Sequence, residues 1–278
     1  MITNMISLLE NATIGKYAVG AFNVYNLEGA KAVIEAAEMQ RSPVILQVHP
    51  NALEYGGSAL IAMCIEMISE AKIKGTVHLD HCNDIDVIKF AIEKGLNSVM
   101  ADGSKYSEEK NINFTCEAGK QVHKTNGFLE AELGYLAGSE DGLTDAKYNA
   151  KLTDPEKAID FVRQTKTDAL AVCIGNVHGA YYQTPKLDFE RLKEIKKNVK
   201  IPLVLHGASG LPEKMVYKAI RNGIVKFNVN TELRNGYLSA IGKYKKGNEL
   251  LELLYKIVLE IKQVAAHKMA LFGSNGKS

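Results

Sequence analysis

An α/β fold is predicted by three features of this sequence: a (β/α)8 or TIM barrel, a single domain over residues 1–278 with an extra C-terminal helix. Eight short, apolar, β-branched runs recur along the chain. Each is bounded by Gly, Pro or Asn, as in parallel strands buried on both faces. Longer segments of helical period alternate with them. The 278 residues suit one barrel domain. The other arrangement that such alternation allows, a doubly wound open sheet, lacks its usual GxGxxG fingerprint after the first run.

The runs follow in order. YAVGAFNV (17–24) precedes the helical LEGAKAVIEAAEMQ, and SPVILQVH (42–49) precedes GSALIAMCIEMISEAKIK. GTVHLDHC (75–82) leads into DIDVIKFAIEKG, where Asp84 is a helix N-cap and Gly95 a stop. NSVMADG (97–103) precedes SEEKNINFTCEAGKQVHKTNG. GFLEAELG (127–134) is separated from its helix by a long polar connection, residues 135–152, of the kind that usually carries function. That helix, TDPEKAIDFVRQTK, opens with Asp154 before Pro155, a standard N-terminal signal. DALAVCIG (168–175), IPLVLHG (201–207) and IVKFNVN (224–230) complete the set. Two helical segments, ELRNGYLSAIGKYKK and ELLELLYKIVLEIKQVAAHKMALF, finish the chain.

Composition narrows the function. With 34 basic and 32 acidic residues the net charge is +2, which implies no general attraction to nucleic acid. No apolar run is expected to reach the length of a membrane span, and the N-terminus lacks a secretion signal. The four cysteines, Cys64, Cys82, Cys116 and Cys173, form no CxxC pair and read as reduced cytoplasmic thiols.

The ionisable residues fall at the C-terminal ends of the runs, the face on which barrels carry active sites. Asp80 and His81 end the third run, Asp102 the fourth, Glu130 and Glu132 the fifth, and Asn228 and Asn230 the eighth. His178 follows the sixth, and His206 ends the seventh. Three histidines from three strands form a tripod with open coordination positions, so His81, His178 and His206 are candidate zinc ligands. His78 lies deeper and reads as structural, or as a partner of a ligand. His49 ends the second run, where substrate contact and loop packing are equally expected. HGASG (206–210) and NVNTE (228–232) occupy the two loops where barrels often bind phosphate, with Gly207, Ala208, Ser209, Asn230 and Thr231 offering backbone N–H groups. A Lewis acid beside carboxylates and a phosphate cradle suggests carbon–carbon bond chemistry next to a carbonyl. The rivals are a barrel metallohydrolase and a non-catalytic sugar-phosphate-binding homologue.

Across nearly the whole chain the sequence resembles the class II, metal-dependent fructose- or tagatose-bisphosphate aldolases. GAFNVYNLE, HLDHC, EAELGYLAGSEDG, LTDPEKA, GNVHGAYY, LVLHGASG, KFNVNTELR and LFGS carry the likeness. The resemblance implies reversible cleavage of a ketose phosphate to dihydroxyacetone phosphate and an aldehyde, through an enediolate stabilised by zinc. It implies that His81, His178 and His206 bind zinc, that Asp80 handles the hydroxyl proton, and that Glu140 moves the proton at carbon. Asp102 and Glu132 match a position for a second divalent metal or a monovalent cation. Asn23, Gly179, Gly207, Ala208, Ser209, Asn228, Val229, Asn230 and Thr231 match the substrate lining. A homodimer or homotetramer, a small sugar-phosphate substrate, and no nucleic-acid or membrane partner are also implied. Two positions depart from the pattern. His49 stands where many relatives have Ser or Thr, and the helix before LFGS has no Arg. Arg234, Lys256 and Lys262 are the candidates to replace that Arg, and the aldehyde is expected to be glyceraldehyde 3-phosphate or an unusual one.

Overall fold

The computed structural model describes residues 1–140, 143–145, 150–179, 184–244 and 249–278. Eight parallel strands close into the expected barrel, in sequence order around the ring. They are β1 (Val19–Asn23), β2 (Val44–Val48), β3 (Gly75–Cys82), β4 (Ser98–Ala101), β5 (Phe128–Leu133), β8 (Ala169–Val172), β9 (Leu203–Leu205) and β10 (Ile224–Val229). The long connection after β5 contains a small antiparallel hairpin, β6 (Gly138–Glu140) with β7 (Leu143–Asp145), which the sequence reading left as loop.

The helices are α1 (Met5–Gly15), α2 (Leu27–Gln40), α3 (Pro50–Glu70), α4 (Ile85–Glu93), α5 (Glu108–His123), α6 (Pro155–Thr165), α7 (Phe189–Asn198), α8 (Glu213–Arg221), α9 (Thr231–Gly242) and α10 (Leu250–Leu271). Their starts follow local chemistry. Asp84 accepts from the N–H of Asp86, and Asp154 from those of Glu156 and Lys157, satisfying donors that a helix leaves open. α10 is the expected additional helix; it packs along α2 and α9, with Phe272 stacked on Phe227 at 4.7 Å.

Outward strand residues such as Phe22, Leu46, Val99, Leu129 and Phe227 share one large core with the surrounding helices. A second apolar cluster fills the lower barrel, where Met5, Leu8, Leu9 and Ala12 of α1 meet Val19, Ile45, Met100, Phe128 and Val204. Helix α1, absent from the sequence reading, thus plugs the N-terminal mouth. Burying each leucine there contributes about 1.5–3 kcal/mol.

One expectation needs correction. Helix α3, at 21 residues, is long and apolar enough to cross a membrane by length and composition. It is nevertheless broken by Gly57, whose φ of 59° and ψ of −161° are not helical. Its buried Leu60, Ile61, Cys64 and Ile68 belong to the main core, so it packs as a barrel helix. Burial pushes the Cys64 thiol up to about 12, and those of Cys82 and Cys173 up to about 11.

Candidate active site

The backbone of β3 answers how neighbouring Asp80 and His81 reach one site. A strictly alternating strand points such neighbours to opposite faces. For both to reach the site, the sequence requires the strand to end at about Asp80 with His81 turning over the mouth; the turn at His81 is present, but pairing continues to Cys82 through a bulge. Leu79 pairs with Val99 and Cys82 with Ala101, so β3 carries one residue more than β4 over this interval. His81 absorbs it with φ 44°, a left-handed conformation uncommon outside glycine, and is re-aimed across the mouth.

His81, His178 and His206 then converge, with ligand atoms all within 4.8 Å of one another. Two of the three rings are oriented by carboxylates. His81 Nδ1 donates to Asp102 Oδ2 at 2.7 Å, and His206 Nε2 donates to Glu130 Oε1 at 2.9 Å. The other two nitrogens, His81 Nε2 and His206 Nδ1, face each other at 2.6 Å. Both are then lone-pair acceptors, and only a shared proton or a cation makes that contact favourable. Burial and the neighbouring His81 lower the His206 pKa to about 4, so a proton is disfavoured there. Three imidazoles, two of them with outer hydrogen-bond partners, fit a borderline-soft divalent ion.

A second cation position adjoins the first, where His81, Asp102 and Glu132 cluster. Burial opposes ionisation of Asp102, yet bonds from His81 and Ser104 outweigh it and hold its carboxyl below the usual range. Glu132 lacks such help. Burial, with Asp102 beside it, pushes its carboxyl well up, and Oε2 has no hydrogen-bond partner among the described residues. An orphaned buried carboxylate oxygen is costly unless a proton or a cation meets it.

Asp80 is fully buried and accepts two amide donors, Asn23 Nδ2 at 2.9 Å and Asn228 Nδ2 at 3.0 Å. Beneath it lies a polar layer that the sequence reading missed in part. Lys226, fully buried, sits 2.9 Å from Glu130 Oε2 and donates to Asn228 Oδ1 at 2.8 Å. His78 Nδ1 lies 2.7 Å from Ser98 Oγ, and burial, with Lys226 near, lowers its pKa to about 3. His78 therefore lies below the site, neutral. A lysine within the continuous apolar run IVKFNVN was the available signal for Lys226, since a buried ammonium needs a buried acid.

The candidate phosphate loops meet on the β9–β10 side. Gly207 has φ 65°, and a Cβ there would lie 1.9 Å from the Val177 carbonyl, so only glycine fits. Ala208 and Ser209 are buried beside it. Asn230 precedes α9 without capping it; its Oδ1 instead accepts from Tyr25 Oη at 2.8 Å, so the helix N-terminus has no side-chain cap. Glu232 links the loops by accepting from the N–H of Gly210 at 2.8 Å. Val229 is core, so only its backbone is available to a ligand. Gly179 follows His178 with φ 83°, and Thr231 opens α9. Asn176, also missed, donates to the His206 carbonyl at 3.0 Å and ties the His178 loop to β9.

Other candidates are less central. His49 lines the pocket containing His81, Asp102, Glu132 and His178, and its Nδ1 also accepts from the N–H of Asn51, capping α3. Arg234 instead lines an apolar cavity of about 210 Å³ between α2, α9 and α10. Lys256 pairs with Glu252 and Lys262 with Glu35, and neither lines the metal pocket. The backbone of Glu140 ends β6, and nearby His178 donates its N–H to the Ala137 carbonyl at 2.9 Å. The Glu140 side chain lies outside the described residues.

Comparison with known proteins adds an independent line. The family model for class-II fructose-bisphosphate aldolase matches residues 3–277. The YdjI aldolase from Escherichia coli K12 is 36% identical, with TM-score 0.91 over 100% of this chain and 99% of that one. A candidate fructose-1,6-bisphosphate aldolase from Coccidioides immitis is 33% identical, with TM-score 0.95 over 99% of this chain and 97% of that one. The fructose-bisphosphate aldolase from Campylobacter jejuni, 21% identical, shares the fold with TM-score 0.82 over 100% of this chain and 97% of that one.

Proposed function

Because the chain belongs to the class II fructose-bisphosphate aldolase family and is therefore a lyase, we propose that it cleaves a ketose 1-phosphate or 1,6-bisphosphate of fructose or tagatose type. The products are dihydroxyacetone phosphate and either glyceraldehyde 3-phosphate or a less usual aldehyde, and the reaction is reversible. The observation that carries this reading is the facing pair of histidine nitrogens at 2.6 Å beside the buried, doubly hydrogen-bonded Asp80. Family membership favours this reading over a metallohydrolase, and the presence of Asp80, Glu140 and all three histidines favours it over a non-catalytic homologue.

His81, His178 and His206 would hold a catalytic zinc ion, and Asp102 and Glu132 a second divalent or a monovalent cation. When bound, the ion supplies Lewis-acid polarisation of the substrate carbonyl. The chain's own residues do the rest. The loops at Gly179, Gly207–Ser209 and Asn228–Thr231 anchor the phosphate through backbone donors and the uncapped end of α9. Asp80 takes the proton of the C4 hydroxyl as the C3–C4 bond breaks, and returns it in synthesis. Its two amide donors hold both carboxylate oxygens in place to accept that proton. Glu140 delivers the proton to C3 of the enediolate left behind. His49, on the pocket wall, meets the aldehyde half; Arg234, on the neighbouring cavity, is the candidate for a distal anionic group.

A homodimer or homotetramer in the cytoplasm, acting in carbohydrate metabolism with sugar phosphates alone as partners, completes the reading. Exposed Leu238 and Ile241 on α9, with Leu251, Tyr255 and Leu259 on α10, support self-association, which sedimentation measures. The function is tested by incubating the protein with fructose and tagatose 1,6-bisphosphates, with and without chelator, and measuring triose-phosphate release. Release abolished by chelator and restored by zinc is expected. Chelator-insensitive release rejects the metal site, and no release from any ketose phosphate rejects the substrate class.

A further inference from the structure

We propose that Lys226 is a positioning residue with two arms: through Asn228 it orients the proton-transfer carboxylate Asp80, and through Glu130 it supports the ring orientation of His206. The proposal rests on the aldolase reading above.

The first arm follows from donor and acceptor chemistry. An ammonium only donates, and an ionised carboxylate only accepts. Asn228 lies between the two, with Oδ1 2.8 Å from Lys226 Nζ and Nδ2 3.0 Å from Asp80 Oδ1. Only one orientation of the amide satisfies both neighbours. With Lys226 removed, Oδ1 loses its donor, and only the contacts of Nδ2, at 3.0 Å to Asp80 Oδ1 and 3.4 Å to His206 Nδ1, hold the amide, so its aim at Asp80 is loosened. Asn23, the other donor to Asp80, has no such lock, because its own Oδ1 has no hydrogen-bond partner among the described residues. A neutral amide or hydroxyl at position 226 can also accept, and so does not fix Asn228.

The second arm runs the other way. Lys226 lies 2.9 Å from Glu130 Oε2, and Glu130 Oε1 accepts from His206 Nε2 at 2.9 Å. That bond leaves His206 Nδ1 as the nitrogen facing the metal position. Lys226 and Glu130 are both fully buried, where an unpaired charge is strongly destabilising. Their pairing keeps an anionic acceptor behind His206.

The arms separate experimentally because the two proton transfers use different residues. Exchange of the C3 proton of dihydroxyacetone phosphate with D2O needs the metal site and Glu140 but not Asp80, whereas cleavage of the ketose bisphosphate also needs Asp80. The double variant Lys226→Met/Glu130→Gln leaves no unpaired buried charge and keeps a carbonyl acceptor for His206. Its apoprotein is expected to take up Co2+, followed by visible absorption, with less than the roughly tenfold loss typical of removing a ligand's hydrogen-bond partner. Isotope exchange should fall by less than about tenfold, while kcat for cleavage falls by about a hundredfold or more. Lys226→Leu/Glu130→Gln, with a second apolar shape at position 226, should give the same split, and decides the matter if the methionine variant does not fold. The second arm is read from Glu130→Leu/Lys226→Met, which has no acceptor for His206 and should lose Co2+ affinity about 10–100-fold, taking exchange and cleavage down together. Equal loss of exchange and cleavage in these two variants, or unchanged cleavage, overturns the first arm. Undiminished Co2+ affinity in the Glu130→Leu double variant overturns the second. A wild-type protein that neither exchanges nor cleaves fails the aldolase reading itself, a distinct result.

Discussion

The same strands build both mouths of the barrel, yet their inward positions change character along each strand. On β1 they read Val19, Ala21, Asn23; on β4 and just beyond it, Ser98, Met100, Asp102; on β5, Phe128, Glu130, Glu132. Val19, Ala21, Met100 and Phe128 join the apolar plug against α1, Ser98 meets His78, and the upper positions hold the imidazoles, carboxylates and amides. Of the two backbone irregularities in the barrel pairing, that at Asp80–His81 on β3 lies at the upper mouth, and that between Ile224 and Lys226 on β10 lies where the plug residue Val225 gives way to the polar layer. The lower mouth contributes stability, and the upper one holds a set of polar groups that are satisfied largely by one another. Folding and chemistry are thereby separated along the barrel axis, and each prediction below either breaks that separation or sharpens it.

The largest effect is expected at the upper mouth. His206→Ala removes a candidate ligand and leaves Glu130 facing a void. Losing a Lewis-acid contribution of several kcal/mol should lower kcat/KM by about a thousandfold or more, with metal content per protomer falling in parallel. Retained metal with lost activity would move His206 from ligand to some other role. Asp80→Asn should act on chemistry alone, lowering kcat for cleavage by about 10²–10⁴-fold with metal content unchanged. If Asp80→Asn also loses metal, the carboxylate belongs to the scaffold of the site and not to proton transfer.

At the lower mouth the expected pattern reverses. Leu9, fully buried in α1, lies far from the histidines. Leu9→Ala should cost about 2–5 kcal/mol in denaturant unfolding through the cavity it leaves, and the substituted protein should keep its KM and metal content. A changed metal content would show that the plug and the site are coupled, and the separation along the axis would not hold.

How much of this was legible follows the same division. The alternation of apolar runs and helical segments fixed the barrel, because a parallel strand buried on both faces has few other ways to read. The three histidines were legible because barrel geometry brings all strand C-termini to one face, whatever their spacing in sequence. Helix α1 was not, since a short amphipathic segment before the first strand has no partner until the barrel is closed. The bulge at His81 was not, because HLDHC reads as an ordinary alternating strand, and its register depends on β4. Lys226 escaped for a related reason: its partner Glu130 is 96 residues away, and only the closed ring brings them together. Glu140 was singled out by its motif, yet its side chain lies outside the described residues.

The smallest expected effect lies at the boundary between the two regions, on His78. Its imidazole is fully buried, against Ser98 and near Glu130 and Lys226. Burial lowers its pKa from 6.5 to about 3, so below pH 6.5 the unfolded chain takes up a proton that the folded protein refuses. The contribution of this group to stability is therefore complete above about pH 6.5 and is lost as the pH falls toward about 3. From this one residue the slope cannot exceed about 1.4 kcal/mol per pH unit. Urea unfolding of the apoprotein at pH 7 and pH 5.5 should show a loss about 1 kcal/mol larger in the native sequence than in His78→Gln, whose amide does not titrate and which keeps only the share owed to the other buried histidine, His206. Parallel losses in the two proteins would mean that His78 takes its proton inside the barrel, with Glu130 as its partner, and the boundary between the apolar plug and the charged layer would then lie below His78.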